Sequence, residues 1–414
     1  MEKLNLEDLT KECQAFSTSL MVKESEVEKI EIRRLHMIID KIDKYVGYKL
    51  GFKILKISYK ALGHSITDPI CYEWWCNSSK INRRAICFYN DHTAASGALL
   101  CSYKFKNILF IQNSLLAEII HKALLFTGNL VDLSGICIGK KPGSRWGIVD
   151  FLNSNNSMSN YIDTNFTQKY MNQFKEFMNS NCLSSNRYIC MHIRSPYYSS
   201  DVSNEHSHRN TNTYSVIRAI EYFSDVGVKI VRMGTSHMPK MSHDNLIDYA
   251  TSPYQSGYLD LLIAKNCMFF FGDSSGGSLY SLLFDKRLYT FNCCLPQLTM
   301  MRKYDISIFM RFYDLLTGNL LSFKQLVNRG AFYTDSFTEF TRLNIGFLPN
   351  TDIEILELAK FSWKMQTETF NWDSFDSIPE RDLLKRILPN DCIAIKMMSQ
   401  ILPSFIQSHK YLLS

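Results

Sequence analysis

Short apolar runs recur along this chain, and most are followed by a segment with helical spacing. In the first half, residues 52–58, 85–89 and 107–111 read as strands, with helical patterns between and after them, including 115–126. A second series holds strand candidates at 188–193, 228–232, 268–271 and 288–291, and helical candidates at 166–178, 213–223, 257–265 and 278–284. Strands that alternate with helices imply a parallel sheet covered on both faces. A chain of 414 residues, 46% hydrophobic, can bury two such cores. The expected fold is therefore α/β, with two successive parallel-sheet domains facing a cleft.

The expected boundaries follow composition. Residues 1–50 form a charged helical segment, 51–150 the first domain, 151–165 a polar linker, 166–385 the second domain, and 386–414 a C-terminal helical segment. Between Glu24 and Tyr48, Ile30, Ile32, Leu35, Ile38, Ile39, Ile42 and Val46 alternate with Lys and Arg. Such a helix lies on an anionic membrane surface or packs its apolar face on its own domain.

The charge balance is mild, +6 from 46 basic and 40 acidic residues, with no basic stripe interleaved with aromatics. No nucleic-acid partner is expected. No run of 18 apolar residues occurs, and Met1-Glu-Lys-Leu-Asn-Leu-Glu-Asp8 lacks the pattern of a secretory signal. A cytoplasmic protein is expected, with peripheral contact at the inner membrane as a further expectation. The 12 scattered cysteines, without a Cys-x-x-Cys pair, read as buried reduced thiols.

The stretch Met268-Phe-Phe-Phe-Gly272-Asp273-Ser274-Ser275-Gly276-Gly277 reads as a buried strand running into a Gly/Ser turn ahead of a helix. Ligands in open α/β sheets collect at the carboxyl ends of strands. The first turn of a helix offers unpaired N–H groups and a partial positive charge, which suits an anion. Gly276 and Gly277 would let a ligand approach the backbone, and Ser274 and Ser275 would add hydroxyl donors. The alternative is a strand-to-helix turn with Ser or Asp as N-cap.

Other polar groups fall near strand ends. Arg194 closes His192-Ile193-Arg194, and its planar fork suits phosphate oxygens. Charge-assisted bonds of that kind contribute about 1.5–3 kcal/mol each, against about 0.3–1 kcal/mol for an anion at a helix terminus. The alternative for Arg194 is a structural ion pair. In Val231-Arg232-Met233-Gly234, Gly234 permits a tight turn, and Arg232 supplies a second cation or pairs with Asp248 of Ile247-Asp248-Tyr249-Ala250. Asp260 orients a hydroxyl or an arginine, or is a solvated helix residue. The loop 201–212 carries Glu205, His206, His208, Arg209 and Asn210; its two histidines lack an evident third ligand, so no metal site is expected.

In the first domain, Leu62-Gly63-His64-Ser65-Ile66-Thr67-Asp68-Pro69 suggests a helix capped by Thr67 or Asp68 with Pro69 at its first position. Gly63 and His64 would then lie on a loop facing the cleft. His64 is a candidate general base there, or a polar loop residue with no catalytic role.

With these residues in hand, the chain resembles a family of bacterial glycosyltransferases found with surface-polysaccharide genes. The resemblance is strongest between Cys190 and Pro296. It rests on Met191-His-Ile-Arg194, Arg209-Asn210 before Tyr214, Val231-Arg-Met-Gly234, Ile247-Asp-Tyr-Ala-Thr-Ser252, Gly272-Asp-Ser-Ser-Gly276 and Asn292…Pro296. It reaches back to Gly63-His64 with Asp68-Pro69, and forward to Thr351-Asp-Ile-Glu354 and Ile401-Leu-Pro-Ser-Phe405. The resemblance implies a GT-B type architecture of two Rossmann-like domains. The first would receive the acceptor, the second would hold the nucleotide-sugar, and the final helix would return to the first domain. His192-Ile-Arg194 is also similar to the His-x-Arg element of GDP-fucose-dependent enzymes, in which the arginine contacts the donor diphosphate. Here Ser195-Pro196 follows, in place of the further charges of many such enzymes.

The function so implied is transfer of a sugar from a nucleotide-diphosphate sugar to a hydroxyl of a bacterial surface glycan precursor, O-antigen or capsule, the acceptor being free or lipid-linked. The residues expected to bind donor are Arg194, Arg209, Asn210, Arg232, Gly234, Asp248, Tyr249, Asp260, Gly272, Asp273, Ser274, Ser275 and Gly276. His64 or Asp68 would be the base, and no cofactor beyond the donor substrate is expected. Two other classes share the same diphosphate site: a sugar-nucleotide epimerase or hydrolase, and a catalytically silent nucleotide-sugar-binding partner.

Overall fold

The computed structural model describes residues 6–57, 62–78, 84–90, 95–122, 130–132, 157–196, 204–295, 302, 304–331, 334, 336–368, 386–388 and 400–414. Among them, two parallel sheets carry the fold. The first has strands β1 (Lys53–Lys56), β2 (Ala85–Tyr89), β3 (Ile108–Gln112) and β4 (Leu130–Asp132) in the order β3-β2-β1-β4. All three pairings are parallel, so every strand ends at the same edge. Strand β2 is buried along its whole length, as a continuous apolar run covered on both faces should be.

The helices of this unit are α1 (Leu6–Ser19), α2 (Ile32–Ile42), α3 (Leu62–Ser78), α4 (Ala95–Ser102) and α5 (Ser114–His121). The apolar face of α2 is spent on its own unit: Leu35, Ile38, Ile39 and Ile42 are buried, with Val46 just beyond. No helix among the described residues is long and apolar enough to cross a membrane.

Helix α3 corrects the sequence-based expectation. It begins at Leu62, and Pro69 lies inside it, so Gly63 and His64 sit in its first turn and not on a loop. A proline in a helix interior removes the N–H that would bond the carbonyl four residues earlier. Here that carbonyl belongs to Ser65, and the Tyr103 hydroxyl donates to it at 3.1 Å. A tertiary contact replaces the missing helical bond, and the helix continues through the proline.

The second sheet has β5 (Tyr188–His192), β6 (Lys229–Met233), β7 (Leu246–Ile247), β8 (Phe270–Asp273), β9 (Leu288–Cys293), β10 (Ile306–Phe309) and, late in the chain, β14 (Gln400–Ile401). Their order is β14-β10-β9-β8-β5-β6-β7, all parallel. The chain runs outward from β5 to β7, then returns and runs outward the other way from β8. The direction therefore switches between β5 and β8, and in open α/β sheets the crevice at such a switch is where ligands bind. Flanking helices include α6 (Gln168–Ser180), α7 (Ile217–Asp225), α8 (Gly257–Asn266), the single turn α9 (Tyr280–Leu283) and α10 (Asp352–Thr367). A small antiparallel sheet, β12-β11-β13, is added by β11 (Arg311–Asp314), β12 (Leu320–Leu321) and β13 (Ile345–Leu348).

The two sheets share one apolar core. The cluster around β1 to β3 continues through α4, which packs on α8, to Leu261, Ile263 and Phe270 of the second unit. The opposite face of the second sheet has its own cluster. Residues 151–156 of the expected linker lie outside the described residues. Its described end is tied down: Met158 is fully buried, and the Lys104 and Asp163 amides donate to the Tyr161 and Ser102 carbonyls. Residues 389–399 likewise lie outside the described part. The described 400–414 do not return to the first unit as expected: β14 pairs with β10, and Phe405, Ile406, Leu412 and Leu413 join the second unit's cluster.

At the end of β6, Arg232 is fully buried and donates through Nη1 to Asp248 Oδ1 and to the Pro239 carbonyl, both at 2.9 Å. Asp248 Oδ2 also accepts the Met241 amide and the Thr251 hydroxyl. Arg232→Ala would strand a mostly buried carboxylate, a loss of about 3–5 kcal/mol. We expect urea unfolding to show that loss, and Arg232→Met with Asp248→Asn together to recover most of it. Equal stability of Arg232→Ala and wild type would show the pair to be dispensable.

Candidate functional site

At the switch between β5 and β8, one carboxylate organises the strand ends. Asp273 is fully buried; its Oδ2 accepts the Arg194 backbone N–H, and its Oδ1 lies 3.2 Å from His192 Nδ1. The Ser275 hydroxyl is 2.7 Å from the same Nδ1, and Ser278 Oγ donates to the Asp273 carbonyl at 2.7 Å. Nucleophilic Ser-His-Asp catalysis needs Ser and Asp on opposite ring nitrogens. Here both meet Nδ1, so the group is a clasp between two strands and not a proton relay to serine.

Two guanidinium groups gather beside this clasp. Arg194, only 8% exposed, donates from Nε to Asn210 Oδ1 at 3.2 Å, and its carbonyl accepts the Thr211 amide. Arg209 grips the Ser274 carbonyl with Nε at 3.1 Å and Nη2 at 2.8 Å. Arg194, Arg209, Asn210, Asp273, Ser274 and Ser275 are thereby brought together at one strand edge. Asn292, at the end of β9, joins through its Nδ2, 3.1 Å from the Thr211 hydroxyl, and exchanges two bonds with Asn350 just before α10. Thr211 and Asn350 were missed by the sequence reading; Asn292 figured there only as the start of a similar segment.

The glycine turn differs from its expected use. A Cβ on Gly277 would overlap the His192 ring, and one on Gly276 would lie 2.8 Å from the Gly63 amide nitrogen. Both glycines make room for protein. The expected helix at 278–284 is a 3-10 turn, Gly277–Leu279, followed by the four residues of α9. So short a helix carries little of the macrodipole that a longer one would aim at an anion.

Through the Gly63–Gly276 contact the start of α3 rests against this turn. His64 and Asp68, one helical turn apart, follow Gly63 on this helix. His64 Nδ1 lies 3.2 Å from Asp68 Oδ1, to which Thr67 Oγ1 also comes at 3.3 Å. Asp68 is fully buried, whereas the His64 side chain is one-third exposed. A buried carboxylate at Nδ1 fixes the ring and leaves Nε2 as the accepting nitrogen, the arrangement of an oriented general base.

Other expected site residues are engaged elsewhere. Arg232 and Asp248 are closed on each other, and Gly234 (φ +155°) leaves space for the Met238 thioether. Asp260 sits in a buried tyrosine cluster, its Oδ2 accepting the Tyr280 hydroxyl at 3.3 Å, with Tyr249 beside it. Burial pushes the Asp260 carboxyl up to about 7, and pushes both tyrosines well above their ordinary value. Among the described residues, no group of three or more His, Cys, Asp or Glu side chains is arranged to hold a metal ion.

No family model matches this chain, and no curated protein sequence does. Among solved structures, the glycosyl transferase family 9 from Veillonella parvula aligns with 71% of this chain and 78% of its own, at 9% identity and a TM-score of 0.34.

Two outcomes test this geometry. Gly276→Ala must shift α3 relative to the turn, and overpacking of this kind costs about 1–3 kcal/mol; an unchanged denaturation midpoint would show that the two backbones are not in close contact. Asp260 has a folded value above its unfolded one, so its charging opposes folding, and stability falls as pH rises from about 4 to 7. Asp260→Asn should therefore raise Tm relative to wild type at pH 8 more than at pH 5. The reverse order would mean that the carboxylate is charged and satisfied in the folded state.

Proposed function

We propose that this chain is a glycosyltransferase that moves a sugar from a nucleotide-diphosphate sugar to a hydroxyl of a bacterial surface-glycan precursor. The observation that supports the reading is the contact of Gly63, next to His64 in α3, with Gly276 of the turn whose Ser274 carbonyl is held by Arg209.

In the proposed reaction the bond from the anomeric carbon to the diphosphate oxygen breaks, and negative charge develops on the leaving diphosphate. Arg194 and Arg209 are the groups to stabilise it. The Asn210 amide oxygen and the Ser274 carbonyl orient the two guanidinium groups, and preorganised donors of this kind are what developing charge requires. The acceptor hydroxyl bonds to the anomeric carbon and gives its proton to His64 Nε2, with Asp68 supporting the imidazolium from Nδ1. The roles of His64 and Asp68 thus divide into base and orienting carboxylate. The Ser275 amide and hydroxyl and the Gly276 amide are secondary donors.

Replacing Arg194 by Ala should lower kcat by about 10²–10³-fold in a variant that keeps the wild-type Tm. Asp68→Asn should lower kcat about 10²-fold or more with a smaller effect on KM. Nucleotide release from a panel of nucleotide-sugars gives the rates. At least one of UDP, GDP and dTDP should raise the wild-type Tm by mass action and fail to do so in Arg194→Ala. Full turnover in a folded Arg194→Ala protein would end this assignment.

A further inference from the structure

Away from the arginine cluster, a cavity of about 820 Å³ opens between the N-terminal helices and the edge of the first sheet. We propose that it is the acceptor subsite and that it takes a neutral oligosaccharide; the word acceptor rests on the transferase reading above. Its floor is the carboxyl end of β3, where Gln112, Asn113 and Ser114 lead into α5. Its walls are Gln14 and Thr18 of α1 and the segment from Met21 to Glu26.

Asn113 builds the wall. It is buried; its Oδ1 accepts the Leu116 amide at 3.0 Å, and its Nδ2 donates to Gln14 Oε1 and Ser17 Oγ, both at 3.1 Å. One side chain thereby caps α5 and clamps α1 over the sheet edge. With its oxygen engaged, Gln14 keeps its amide donors for a ligand, and Thr18 and Ser114, whose hydroxyls donate to protein, keep lone pairs to accept. Donors and acceptors in mixed array suit sugar hydroxyls. Charge argues the same way: Lys23 stands against Glu24 and Glu26, so a phosphate would meet more carboxylate than cation.

The rim carries a second sign. Met21 has φ +51° and is 88% exposed. Holding a non-glycine residue in that region costs on the order of 1 kcal/mol, and such strain gathers at binding sites. Here it presents an apolar side chain at the cavity mouth, where the C–H face of a sugar can pack.

Position links the cavity to the reaction. Strands β1, β2 and β3 are parallel neighbours, so the cavity and the start of α3 both lie beyond carboxyl ends of the same sheet. On this proposal an oligosaccharide held in the cavity extends along that edge toward His64.

Saturation-transfer NMR on the full chain, with lactose, maltotriose, mannobiose and N,N′-diacetylchitobiose as probes, tests this. At least one probe should receive saturation from wild type. Thr18→Trp, an exposed helix position from which an indole would project into the cavity, should weaken that binding by about tenfold or more. Gln14→Ala should weaken it less, and Arg194→Ala should leave it unchanged. No transfer to any probe, or equal transfer from Thr18→Trp, overturns the assignment. Saccharide binding in the cavity with no nucleoside-diphosphate binding would count against the transferase reading alone. Nucleotide binding with no saccharide would count against the cavity alone.

Discussion

The Asp273 carboxylate is the constraint from which the site follows. It has no exposure to solvent, and a buried carboxylate is tolerated only when its oxygens are bonded. One oxygen takes the Arg194 amide and the other faces His192, so the ends of β8 and β5 are fixed to each other where the sheet changes direction. Once that amide is fixed, the Arg194 side chain leaves the strand toward Asn210, and Thr211 is drawn to the Arg194 carbonyl. The loop returning from β5 then presents Arg209 to the Ser274 carbonyl. Each later contact needs the earlier one.

The same clasp decides what the glycines are for. With the His192 ring turned toward Ser275, there is no space for a side chain at Gly277. With the turn so placed, Gly276 meets the backbone of Gly63 from the other unit. The close approach that a Gly-rich turn advertises is made by protein on both counts. Any anion at this edge therefore depends on the arginines more than on the turn and its short helix. The magnitudes agree, since an arginine bond contributes about 1.5–3 kcal/mol and a full helix terminus about 0.3–1 kcal/mol.

What could be read in the sequence was what is local. Residues 85–89 coincide with β2, and β1, β3, β5, β6, β8 and β9 begin and end within two residues of expectation, because buried parallel strands are unbroken apolar runs, whereas β4, β7, β10 and β14, most of them two or three residues long, were not expected. What escaped depends on partners far along the chain. Pro69 looked like a helix start because its rescuer, Tyr103, lies outside any local window. Arg232 looked equally like a ligand or a pair, and only the fold brings Asp248 to it. The exchange between Asn292 and Asn350 joins two residues with no shared motif. The antiparallel sheet of β11, β12 and β13 is short and partly exposed, with too little alternation to announce itself.

The proline in α3 has a consequence for the proposed base. A proline in a helix interior costs roughly 3 kcal/mol, and this one sits immediately after Asp68. Because the Ser65 carbonyl is bonded by Tyr103 and not by the helical ladder, the turn that carries His64 and Asp68 is held partly by tertiary contacts. Tyr103 is buried close to Tyr280, which in turn donates to Asp260 of the second unit. The first turn of α3 is thus positioned from two sides, by a polar cluster shared with the second unit and by the glycine contact at Gly276. A histidine placed in this way owes its location to the packing of the two units on each other more than to its own helix. That is the arrangement needed if base and leaving-group cations are to keep a fixed separation while residing on different sheets.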